Sequence, residues 1–180
     1  GSMADGYIVK CMIDILLTYL NNNSHEINKV MTKSCSVLEK MTKENVQGVS
    51  YAVDYGGIEC ILNGIIKWNQ DKNNSNKSFI VSCLNFLHNV CIDNDINKKL
   101  IGNNGACQEI LQIITPKSTH KAHHHHHHHH GDEDEDEEVE LSIVSASLKL
   151  LLCLTSVSAR NNDMSESSES ITCNLILSLI

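Results

Sequence analysis

Eight consecutive histidines, His123, His124, His125, His126, His127, His128, His129 and His130, form the densest set of chemically capable side chains in the sequence. Neutral imidazoles bind nickel, copper or zinc readily, so metal affinity in vitro follows from the tract whatever its purpose. A polar, biased run cannot bury enough surface to order itself, and it reads as low complexity in a solvated loop with adventitious chelation only. Its internal position argues against a purification tag, which would stand beside Gly1-Ser2, the cleavage scar before Met3. A metal buffer acting through the tract is the remaining reading. The eight cysteines offer no competing site: Cys11, Cys35, Cys60, Cys83, Cys91, Cys107, Cys153 and Cys173 contain no C-x-x-C spacing and mostly sit among apolar residues. They read as reduced, buried small hydrophobes of a cytoplasmic or nuclear protein, not as a disulfide framework or zinc site. Phosphate-binding glycine loops, the H-E-x-x-H pair and a Ser-His-Asp set are missing, so neither catalysis nor a cofactor is expected.

What carries chemistry must then be a surface. The net charge of −8 arises from one place: eight of the 22 acids lie in Asp132 to Glu138 and Glu140, and the remainder balances at 14 basic against 14 acidic. No global field therefore favours nucleic acid or a membrane surface. No apolar run reaches the 18 or so residues of a membrane span. Aromatics at 4%, a single Pro and 9 Gly argue against a sandwich or barrel of short strands.

The elements that position such a surface repeat. Residues 34–42 (SCSVLEKMT) match Cys83-Leu84-Asn85-Phe86-Leu87-His88-Asn89-Val90-Cys91 in their apolar positions at an offset of 49, and Gly56-Gly57 with Ile61-Leu62 match Gly105-Ala106 with Ile110-Leu111 at the same offset. A third copy, Ser147 to Thr155, follows at offset 64, which places an insertion between Pro116 and about Glu138. Within a copy, Phe79, Ile80, Cys83, Leu84, Leu87, Val90 and Cys91 recur at spacings of three and four, one broad apolar face of a helix. A single hairpin cannot bury such faces on both sides, so neighbouring copies must stack. Helices are expected near 6–20, 26–42, 45–54, 57–68, 77–92, 95–102, 105–115, 140–157 and 170–180, separated by polar joints rich in the chain's 19 asparagines.

Leu84-Asn85-Phe86-Leu87-His88-Asn89-Val90-Cys91, then Asn97 to Ile101, then Gly105-Ala106 with Ile110-Leu111, resemble the end of one armadillo repeat and the start of the next, and Gly56 to Leu62 resemble the same second-helix opening. The resemblance implies an all-α fold, an α–α superhelix of the armadillo-like solenoid kind with three to four repeats, as a fragment of a longer array. It divides the chain into a scar (1–3), armadillo-like repeats (4–116), a disordered His-rich and acidic insertion (117–139) and their continuation (140–180). It implies a non-enzymatic interaction scaffold whose third helices line a groove for an extended partner, with nuclear import adaptor and nucleotide-exchange co-chaperone as family alternatives. The import-receptor ladder of Trp and Asn matches once, at Asn89; its other Asn places hold Lys40 and Cys153, and its Trp places hold Ser36, Asn85 and Lys149.

The groove-facing series reads Lys29, Lys33, Ser36, Lys40 on one copy, Ser78, Ser82, Asn85, Asn89 on the next and Ser142, Ala146, Lys149, Cys153 on the third, with no acid. Lysines and amides there favour an acidic or phosphorylated partner segment, with Lys33, Lys40, Asn85, Asn89 and Lys149 as the contact residues. Two further expectations follow: that Asp132 to Glu140 acts as an internal pseudo-ligand for Lys29, Lys33, Lys40 and Lys43, and that the uncapped apolar helix Ile171 to Ile180 supports self-association.

Overall fold

The structure is a computed structural model, which describes residues 3–22, 24–71, 76–115 and 133–156. Among the described residues it is all-helical: α1 (Met3–Tyr19), α2 (His25–Thr42), α3 (Val46–Asp54), α4 (Gly57–Gln70), α5 (Lys77–Cys91), α6 (Asp95–Asn103), α7 (Ala106–Ile114) and α8 (Glu133–Thr155). No helix among them is long and apolar enough to cross a membrane. The histidine tract and the expected helix at 170–180 lie outside the described residues.

Local chemistry starts the helices. Asn45, Asn76 and Asn94 each accept, through Oδ1, the backbone N–H three residues on (Gly48 at 3.1 Å, Phe79 at 3.3 Å, Asn97 at 3.0 Å), and Ser24 Oγ does the same for Ile27. These caps satisfy donors that have no partner in the first turn. Ahead of α4 and α7, Gly56 and Gly105 take left-handed torsions (φ 79° and 80°). Among the described residues, the non-glycine residues at positive φ are Glu44 (51°) and Asp93 (53°). Each of these pairs is 49 residues apart, so the internal repeat is written into backbone torsions as well as into apolar pattern.

The helices pack as the repeat requires. α5 packs on α2 on one side and α8 on the other, while α4 packs on α1 and α7, and α3 and α6 bridge the two rows. Ile80, Leu84, Phe86, Leu87 and Val90 of α5 have no exposed surface, and Ile13, Leu16, Leu38, Ile58, Ile65, Ile101, Ile110 and Leu150 close around them. Each such side chain contributes roughly 1.5–3 kcal/mol, more than any local propensity in these helices. That is why Asn-rich, helix-neutral segments still fold as helices.

One boundary differs from the expectation. The acidic run was expected to belong to the insertion up to residue 139, yet α8 begins at Glu133. Carboxylates in the first turns of a helix face its positive dipole end, which stabilises a helical start that apolar periodicity alone does not reveal.

Candidate functional site

The expected face can now be assembled. Lys29, Lys33 and Lys40 stand exposed along α2, with Lys43 at its C-cap, and Lys149 stands exposed on α8. Among the described residues no ion pair neutralises any of the five. α5, between α2 and α8, carries half-buried Asn85, His88 and Asn89. Of the remaining positions of the series, Ser78 and Ser142 are exposed, Ser36 and Cys153 are half-buried, and Ser82 and Ala146 are buried.

The asparagines are placed differently from a free ligand-binding rung. Asn89 Nδ2 donates to the Glu39 carbonyl at 3.0 Å and to Thr42 Oγ1 at 3.4 Å, and Asn85 Nδ2 donates to Glu39 Oε1 at 3.1 Å. Their amide donors are therefore committed to α2, as half-buried polar groups demand. Each Oδ1 is left without a hydrogen bond among the described residues. Asn76 completes the set at the other end: its Nδ2 donates to the Asn28 carbonyl (3.2 Å) and its Oδ1 accepts from Thr32 Oγ1 (3.0 Å). Asn76 at the N-cap of α5, with Asn85 and Asn89 within it, thus fixes the register of α5 along α2. The sequence offers a signal for this, the Asn spacing of nine and four, but not for its partners 44 to 50 residues away.

Two electrostatic details differ from the expected lysine-and-amide lining. Glu39, one turn beyond Ser36, brings a carboxylate to the α2–α5 seam. His88 faces the other seam, where burial first and the Lys149 charge second hold its pKa below the usual imidazole value. The imidazole is thereby kept neutral near pH 7, an acceptor as well as a donor. At the Asn76 end a cleft of about 200 Å³ opens between Leu20, Met31, Trp68 and Phe79.

Among the described residues the pseudo-ligand arrangement is absent. The described part of the acidic run is built into α8, which packs on α5, α6 and α7, so α5 stands between it and α2. Glu140 Oε1 pairs instead with Lys77 Nζ at 3.1 Å, at the start of α5. Helix formation from Glu133 is the physical reason, because it fixes the run on α8 rather than leaving it free to cross the face.

No grouping of three or more metal-ligating side chains occurs among the described residues. The structure does bring cysteines together, at the spine: Cys35 Sγ and Cys83 Sγ are 3.7 Å apart across α2–α5, and Cys91 Sγ and Cys153 Sγ are 3.0 Å apart across α5–α8. Burial pushes the Cys60 thiol up to about 12 and the Cys83 thiol well above its ordinary range.

Set against protein-family models, curated proteins and solved structures, the chain finds no match in any of the three comparisons.

Proposed function

We propose that this chain forms an armadillo-like α-solenoid, a non-enzymatic interaction scaffold that takes an extended acidic or phosphorylated partner segment across the α2, α5 and α8 face. The observation that carries the reading is the side-by-side order of α2, α5 and α8, with exposed Lys33, Lys40 and Lys149 on the outer two helices, in no ion pair among the described residues. A partner strand lying across them would meet ammonium groups on both flanks and the Asn85 and Asn89 carbonyl oxygens between. Those oxygens suit backbone N–H groups of the strand, while the lysines suit its carboxylates or phosphates.

Fluorescence anisotropy with an acidic phosphopeptide and a basic peptide of matched length tests this. The acidic peptide should bind more tightly, more weakly as salt rises, and with a loss of roughly 2–5-fold for each of Lys33→Gln, Lys40→Gln and Lys149→Gln, as befits exposed charges. Preference for the basic peptide would overturn it in favour of an import-adaptor reading, and indifference to all three substitutions would remove the face from consideration.

A further inference from the structure

We propose that Cys153 is a hydroperoxide-reactive thiol and that Cys91 resolves its oxidised form, creating a reversible covalent tie between α8 and α5. The two sulfurs stand 3.0 Å apart on helices that pack against each other. A bonded pair needs about 2.05 Å, so closure is a side-chain movement of roughly 1 Å. The roles separate by exposure: Cys153 is half-buried and within reach of a small oxidant, whereas Cys91 is completely buried.

The surroundings of Cys153 favour the thiolate. The Lys98 ammonium is anchored at the same helix end, donating to the Ser156 carbonyl (3.2 Å) and Oγ (3.4 Å) and pairing with Asp95 at 3.6 Å. The hydrogen bond with the Cys91 thiol, and then the Lys98 charge, bring Cys153 below the ordinary thiol value against the opposing effects of burial and Asp93. A thiolate near neutral pH is the species that attacks peroxides. The Cys91 thiol has the His88 carbonyl as a second acceptor at 3.5 Å. The pair Cys35 and Cys83 repeats the geometry one stack earlier, but both are fully buried. Burial raises Cys83. That pair is inert packing by the same criteria.

The chemistry balances. The Cys153 sulfur attacks one peroxide oxygen, the O–O bond breaks, and hydroxide leaves to be protonated to water; sulfur has given up two electrons and carries –OH. The Cys91 sulfur then attacks Cys153 as its proton joins the departing hydroxyl, the S–O bond breaks, water leaves and the S–S bond forms. A small dithiol reverses the bond by exchange.

The full chain, reduced and then given about one equivalent of hydrogen peroxide, tests the proposal through non-reducing peptide mapping. The expected first product is a Cys91–Cys153 linked peptide that dithiothreitol abolishes. Cys91→Ser should accumulate a dimedone adduct on Cys153, and Cys153→Ser should give neither product. Because Cys91 is buried and its variant can misfold, the unaltered chain supplies a second reading. At pH 7, peptide-resolved alkylation of Cys153 should run about three- to tenfold faster than that of the comparably half-buried Cys11 and Cys107. Equal rates at the three sites, or linkage of Cys153 to cysteines other than Cys91, would overturn it.

Discussion

Asn97 offers the sharpest test of how the joints are held. Its side chain is 5% exposed, and its Nδ2 donates to the Val90 carbonyl at 2.7 Å. Val90 lies in the last turn of α5, where the chain turns away: Ile92 donates to His88 and Asn94 to Cys91, so these leave the Val90 oxygen to the Asn97 side chain. In Asn97→Ala that buried carbonyl loses its side-chain partner, at a cost of about 1–3 kcal/mol. Alanine recovers roughly 0.5 kcal/mol as the better helix former. The net loss is about 0.5–2.5 kcal/mol, which for a chain of this size lowers the melting temperature by roughly 1–10 °C. The control is Asn104→Ala, which removes an amide of the same kind: Nδ2 donates to the Leu100 carbonyl at 2.7 Å, but the residue is exposed. Water replaces that bond, so the loss there should stay within about 0.5 kcal/mol. Urea denaturation followed by circular dichroism at 222 nm measures both variants on one scale. Equal losses for Asn97→Ala and Asn104→Ala, or no loss for either, would refute the argument that burial of the carbonyl sets the cost.

Two more expectations complete the set. Gly48 occupies the position equivalent to Asn97 one repeat earlier, yet a Cβ built there collides with the Met41 carbonyl oxygen and comes within 2.9 Å of Asn45 Nδ2. Gly48→Ala should therefore destabilise by about 1–3 kcal/mol even though a larger side chain stands at the equivalent position, and thermal unfolding reads it. For His88, the unfolded chain binds a proton with a pKa near 6.5 while the folded site binds it more weakly, so stability should fall as the pH drops through about 6.5. Urea midpoints between pH 7.5 and pH 5.5 should drop less steeply in His88→Gln, and Lys149→Gln should flatten the slope in part.

Much of the helical layout was legible because it depends on two local quantities, apolar periodicity and capping chemistry. The 49-residue offset between Leu38 and Leu87 correctly anticipated that α2 and α5 stack, since both faces are too apolar to leave in water. The start of α8 was not legible. Apolar periodicity is silent in an unbroken run of acids, and the stabilising influence there is the dipole of a helix whose existence is decided further along. The chosen face was legible in its lysines, whose exposure follows from helix phase. Asn85 and Asn89 are expected as partner contacts, whereas Glu39 and Thr42 on α2 accept from their amide groups. Nothing local distinguishes an asparagine that reaches solvent from one that reaches the neighbouring helix. The cysteines illustrate the same limit: apolar neighbours correctly indicated burial for Cys35 and Cys83, but the approach of Cys91 to Cys153 joins positions 62 residues apart.

The matched torsions at Glu44 and Asp93, and at Gly56 and Gly105, bear on how such a chain can change length. Excising residues 44 to 92 would join Lys43 directly to Asp93, which already holds the torsion that Glu44 held, so the splice would feed α2 into α6 along the path it now takes into α3. Duplication of the same stretch is equally seamless. Whole units can be gained or lost by recombination without inventing a new corner, whereas an insertion of any other length has to be accommodated as a bulge between units.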